Sequence, residues 1–119
     1  MTNEKEVKTI TDKQEISKII QEKIKGKKLI FTNYYYFGID KRGIAHERVT
    51  DIFPQFEKVI AIEIETLKFG DLDYEFFYEM GKNITFSIAT CPKDDKILII
   101  HAVEYKRNLE KRIKRFKTQ

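Results

Sequence analysis

Apolar positions recur along this chain with two different periods, four residues near the start and two through the middle. Ile16, Ile20 and Ile24 fall four apart ahead of Gly26, which predicts an amphipathic helix with one narrow apolar stripe. Thr11 and Gln14 have the spacing of a capping box, so each side chain can satisfy the other's backbone N–H at the helix start. Residues 28–31 read as a short strand. Thr32 can cap a second helix that would bury Tyr34, Tyr35, Phe37 and Ile39, although three consecutive aromatics also suit a strand. Gly43 sits where that helix would stop, because glycine alone takes a left-handed backbone without steric cost. Lys41 and Arg42 precede it, where the dipole of a helix C-terminus favours cations.

Beyond the glycine, Ile44, Val49, Ile52 and Phe53 have helical spacing, and Pro54 should end the short helix they define. Its exposed side would carry His46, Glu47 and Asp51. The period then changes to two. Residues 58–66, 74–80, 84–90 and 96–104 read as strands, separated by turns at Gly70 to Asp73, at Gly81-Lys82-Asn83 and at Pro92 to Asp95. The run 97–100 is apolar throughout, as in a strand buried on both faces. Leu109, Ile113 and Phe116 place one stripe on a final helix whose other sides are basic. The order predicts an α+β fold, an antiparallel sheet of four to five strands flanked by helices, with residues 1–27 as an N-terminal helical extension and 28–119 as the domain.

Composition narrows the class. At 119 residues, 41% hydrophobic, with nine Phe and six Tyr, the chain suits one domain with a modest core. No run of about 18 apolar residues is present to span a bilayer, and residues 1–8 lack the apolar stretch of a signal peptide, so no membrane association and a cytoplasmic location are expected. The single cysteine, Cys91, cannot form an internal disulfide. With only His46 and His101 beside it, it makes no zinc motif, so neither a metal nor another cofactor is expected. Cys91 reads as a small semi-buried residue at a strand end. Gly-rich phosphate loops, paired-cysteine metal motifs, internal repeats and Ser nucleophile elbows are absent from the sequence.

The net charge of +4 is unevenly spread. Residues 1–29 carry a net +3, residues 30–105 a net −5, and residues 106–119 a net +6 from seven bases and one acid. A basic terminal helix suits phosphate, an acidic partner protein or an anionic surface, or is simply solvated.

The segment from Thr32 resembles small toxin-like domains with the pattern T-x-H-A-x-x-R-x-x-x-R-G-I, on which Thr32, Arg42, Gly43 and Ile44 fall in register. The order of elements from Lys28 resembles the BrnT branch of the RelE-like ribonuclease toxins. KRGIAHERVTDIF is similar to their K-H-G-V-x-x-x-x-A-x-x-V-F stretch, and ILIIHAVEYKRNLEKRIKRF to their strand ending I-I-S-A-R before a basic helix. The departures bear on chemistry: Tyr34 replaces the pattern's His, Tyr35 its Ala, Gly38 its first Arg, and Val103 the strand-end Arg.

The resemblance implies metal-independent RNA cleavage by 2′-hydroxyl attack, held in check by an antitoxin protein. Such chemistry needs an acid/base pair and fixed cations at the phosphate. His46 and His101 are the only imidazoles, and Glu104 and Tyr105 stand at the strand exit; these four are the catalytic candidates. Each also has a plainer reading, solvation for His46, a hydrogen-bonded core role for His101, capping or packing for Glu104 and Tyr105. Arg42, Arg107 and Arg112, with Lys41, Lys111 and Arg115, are the RNA-binding candidates, since guanidinium forks match phosphate oxygens. A salt bridge from Arg42 to Glu47 or Asp51 is the structural alternative. Tyr34 to Tyr36 could stack bases, although at least two of the rings are expected in the core. The alternative function is a catalytically inactive scaffold that binds nucleic acid or protein. A homodimer through Ile16, Ile20 and Ile24 is a further candidate.

Overall fold

The computed structural model describes residues 7–67 and 70–106. Strand β1 (Val7–Ile10) leads to helix α1 (Lys13–Ile19), which continues as a π-helical turn over Ile20–Ile24. Strand β2 (Lys28–Phe31) precedes helices α2 (Asn33–Arg42) and α3 (His46–Ile52) and a 3₁₀ turn over Phe56–Lys58. Strands β3 (Val59–Thr66), β4 (Leu72–Gly81), β5 (Ile84–Pro92) and β6 (Lys96–Tyr105) complete the order. All six strands form one sheet in the order β1-β3-β4-β5-β6-β2. Every pairing is antiparallel except β2 with β6, which is parallel.

The fold is α+β as expected, but the sheet has six strands rather than four or five. The additional strand is β1, within the segment read as a helical extension. Its sequence VKTI is too short for a two-residue period to stand out between charged neighbours. Pairing supplies what pattern does not: Ile10 lies opposite Ile62 and Thr9 opposite Glu63. The parallel β2 arises because the chain crosses through α2 and α3 before returning along the other edge.

α1 begins one residue later than the capping box implied. Asp12 is the cap, accepting the Glu15 N–H at 3.0 Å, and an aspartate there also meets the positive end of the helix dipole. The π turn is closed by the Lys25 N–H to the Ile20 carbonyl at 2.9 Å. Four residues overshoot one α turn and undershoot one π turn, so the angular drift from Ile16 to Ile20 reverses on the way to Ile24. All three isoleucines therefore face the same way. They lie 2–4% exposed within the chain's own core, so the stripe considered for a homodimer is already covered.

The three helices and the core side of the sheet enclose one cluster. Tyr35, Ile39, Val49, Ile52 and Phe53 meet Ile62, Phe76, Tyr78, Phe86, Ile88, Ile97 and Ile99. Within it the Tyr78 hydroxyl donates to the Phe53 carbonyl at 2.8 Å, which satisfies a buried group just past the end of α3. Burial pushes the Tyr78 phenol well above its ordinary range, so it stays a donor. Tyr78→Phe leaves that carbonyl without its donor and is expected to cost about 1–2 kcal/mol. Urea unfolding should show this as a lower midpoint at an unchanged slope.

The opposite face of the sheet carries no described helix. Ala61 and Phe77 pair there in register, with the half-buried Ile60 and Tyr105 against them. Cys91 is on this side of β5 and is buried, more deeply than the semi-buried position expected. Burial raises its thiol pKa, which disfavours the reactive thiolate. No described helix is long and apolar enough to cross a membrane.

Candidate nucleic-acid interface

Two short helices meeting at a glycine create the candidate site. Thr32 caps α2 by accepting the Tyr35 N–H at 3.0 Å, and its own hydroxyl donates to the Ile99 carbonyl at 3.1 Å, which ties the helix start to β6. At the other end Gly43 takes φ 69°, and the Ile44 N–H reaches back to the Ile39 carbonyl at 2.9 Å. This is the six-to-one closure of a Schellman motif, which a side chain at Gly43 would strain. α3 then starts at once, so Arg42 and Arg48 stand on either side of one corner.

The corner faces the exit of β6. A cavity of about 820 Å³ lies between them, lined by residues 42–45, Arg48, Val103, Glu104 and Lys106. Arg48 forms an ion pair with Glu104, and its guanidinium carbon lies 5.3 Å from the centre of the Phe86 ring. That hydrogen bond, from a fixed cation, holds the Glu104 carboxyl below its usual range. Arg42 has no ion-pair partner among the described residues; neither Glu47 nor Asp51 takes the bridge the sequence offered. It folds back along its own helix, with Nη1 only 2.7 Å from where a β-carbon on Gly38 would be.

Gly38 thus has a purpose that its departure from the toxin pattern concealed, since it leaves room for Arg42. Gly38→Ala is expected to displace the guanidinium while leaving stability unchanged or raised by up to about 1 kcal/mol, the helical advantage of alanine. Thermal melts beside an RNA-binding titration would check both halves.

The catalytic candidates do not converge. Glu104 lines the cavity. His46 is half-buried within an aromatic group instead of solvated, its Nδ1 2.9 Å from the Tyr35 hydroxyl and its ring centre 4.6 Å from that of Phe31 in an edge contact. Tyr36 closes the group, with its ring centre 5.3 Å from that of His46. Burial, with smaller contributions from Tyr36 and Glu47, pushes the Tyr35 phenol above its ordinary range, so at neutral pH this hydroxyl keeps its proton.

His101 projects from β6 toward the helix-free face, opposite Ala89. Its Nδ1 is buried without a hydrogen-bond partner. Burial lowers its pKa, Glu75 opposes that, and Arg42 adds to it. Because the folded value is below the unfolded one, stability is present above about pH 6.5 and is lost as pH falls. A series of melts between pH 8 and 5 should show that loss, reduced in His101→Gln. Tyr105 packs beside Ala61 and Phe77, away from the cavity.

Among the binding candidates, Arg42 lines the cavity and Lys41 sits 5.8 Å over the Phe37 ring. Arg107, Lys111, Arg112 and Arg115 lie outside the described residues, as does the final helix expected to carry them. Arg48 and Lys106 were missed as site residues. Arg48 had one signal, a base six residues after Arg42 across a glycine corner. The chain matches no protein-family model, no curated protein and no solved structure.

What the corner can do follows from its own groups. Arg42 presents a charge without an ion-pair partner among the described residues, Arg48 and Lys106 present charges that both act on Glu104, and Ile44 and Val103 supply apolar surface between them. Beside the corner, α2 exposes aromatic rings. Only Tyr35 of the three tyrosines is core; Tyr34 is 66% exposed, Tyr36 45% and Phe37 69%. Tyr34, Phe37 and Lys41 are spaced three and four residues apart, so they share one face of the helix.

Proposed function

We propose that this protein binds single-stranded RNA, with the phosphate backbone at the Arg42 corner and bases against the exposed rings of α2. The observation that carries the reading is a single helix, α2, which ends in Arg42 at a cavity holding three cations and exposes Tyr34 and Phe37, with Lys41, along one face. Cations track the backbone and aromatic faces accept any base, the combination that suits single strands. The RelE/BrnT-like scaffold, and an antitoxin that would cover the corner with acids, belong to the same proposal and rest on the sequence resemblance.

Of the two versions, binding without cleavage fits the geometry better than cleavage. Removing the 2′-hydroxyl proton needs a base with some affinity for it. Glu104 is the acid lining the cavity, yet Arg48 lowers its proton affinity, and the two imidazoles are elsewhere. A labelled single-stranded RNA titrated with protein across a salt series, and run on a gel with and without EDTA, tests both versions. Binding that weakens steeply with salt while the RNA stays intact is expected. Cleavage that survives EDTA would favour the toxin version, and salt-independent binding unaffected by Arg42→Ala would overturn the proposal.

A further inference from the structure

Four rings meet where β2, α2 and α3 come together, and a hydrogen bond inside the group fixes a donor on its imidazole. Phe31, Tyr35 and Tyr36 surround His46, with ring centres 4.6, 5.7 and 5.3 Å from that of the imidazole. Tyr35 is fully buried, and its hydroxyl has one hydrogen-bond partner among the described residues, the His46 Nδ1 at 2.9 Å. A phenol that accepted there would leave its own proton buried without an acceptor, a cost that a donating phenol avoids. The Tyr35 O–H is therefore the donor. A neutral imidazole whose Nδ1 accepts carries its proton on Nε2. Among the described residues nothing takes a hydrogen bond from that Nε2, which is not one of the buried unpartnered atoms. His46 is half-buried and Tyr36 is 45% exposed, so a fixed N–H donor and an open aromatic face stand side by side.

We propose that His46 and Tyr36 read one base of the bound RNA, selecting a base with a carbonyl oxygen, uracil or guanine, over one with an amino group, cytosine or adenine. The inference rests on the RNA-binding reading above and names the base that site prefers. Stacked on Tyr36, a base turns an edge toward the imidazole, which is tilted 46° beside that ring. The O4 of uracil and the O6 of guanine accept from Nε2–H, whereas the amino groups at the same positions of cytosine and adenine set donor against donor. An imidazole free to move its proton would accept from an amino group as readily, so the preference depends on Tyr35. Tyr35 is thus a positioning residue, and His46 is the residue that meets the base. The place suits the phosphate site, because Ala45 lines the Arg42 cavity and His46 follows it in the chain, one Cα step of about 3.8 Å away.

Two measurements on the full-length protein test this. Long-range ¹H–¹⁵N NMR at about pH 8, above the ordinary titration range of imidazole, reports which ring nitrogen carries the proton, and His101→Gln assigns the two imidazoles. His46 is expected to hold its proton on Nε2 in the wild type and to share it between both nitrogens in Tyr35→Phe. A proton on Nδ1 in the wild type would overturn the proposal. Titration of uracil-only and cytosine-only RNA oligonucleotides of equal length gives the second reading. The wild type is expected to prefer uracil about fivefold, the scale of one base-edge hydrogen bond, and the preference should collapse in Tyr35→Phe. His46→Phe, which keeps a ring but has no N–H, should lose it too and serves if the core substitution impairs folding. Equal affinity of the wild type for both oligonucleotides, or a preference undiminished in both variants, would overturn the base reading and leave RNA binding at the Arg42 corner standing. Failure to bind either oligonucleotide would overturn both.

Discussion

Phe86→Ala is expected to destabilise the protein by about 3–5 kcal/mol, the largest single effect foreseen here. Phe86 is fully buried at the middle of the sheet, on β5 opposite both Tyr78 and Glu104. Removing its ring leaves a cavity between strands whose hydrogen bonds hold them in place, so little collapse can fill it. Domains of this size have stabilities of about 5–15 kcal/mol, and a large part of that margin would be lost. The same ring seats Arg48 at 5.3 Å, so the substitution acts on the site as well as on the fold. Phe86→Leu separates the two effects. It keeps most of the apolar volume but removes the aromatic face, so stability should fall by less while Arg48 loses its cation–π contact, worth about 0.5–1 kcal/mol at an exposed position. Urea unfolding of both variants, with RNA titrations on the folded fraction, would show this difference.

The parts of this structure legible in the sequence were those fixed by local chemistry. Thr32 and Gly43 delimit α2 as read, because a hydroxyl cap and a left-handed residue act within a few residues of where they stand. The short helix up to Pro54 and the strands β3 to β6 likewise lie where period and turn residues put them. What escaped was decided at long range. β1 is a strand because Ile62 and Ile64 on β3 are there to pair with Ile10 and Lys8, and no four-residue window contains that information. β2 runs parallel for a similar reason, since the partner is β6, more than sixty residues away.

The site followed the same division. Arg42 was identifiable because its position before Gly43 fixes it at a corner. His46 was misread as solvated, since the hydroxyl and rings that enclose it come from β2 and α2. Glu104 was legible as a polar residue at a strand exit, but its partner Arg48 is 56 residues away in sequence. That partner changes its chemistry, turning a candidate base into the counterion of a cation that lines the same cavity.

Glu104→Gln therefore has an expected effect opposite to the usual result of changing a residue in a functional site. In the proposed binding protein Glu104 both repels phosphate and neutralises Arg48. Replacing it with glutamine keeps the shape, removes a negative charge from the cavity and leaves Arg48 with its full charge for the backbone. Binding of single-stranded RNA should tighten several-fold, on the order of the tenfold that about 1.4 kcal/mol represents, and the salt dependence should steepen by about 0.7 for the cation released. Arg42→Ala with Arg48→Ala should do the reverse. It removes two guanidinium groups and leaves Glu104 unpaired at the phosphate, for a loss on the order of 100-fold if each charged hydrogen bond contributes about 1.5 kcal/mol. The two versions of the proposed function respond differently to the glutamine variant. A ribonuclease using Glu104 as its base would bind more tightly and stop cutting, whereas a binding module would bind more tightly with the RNA intact before and after.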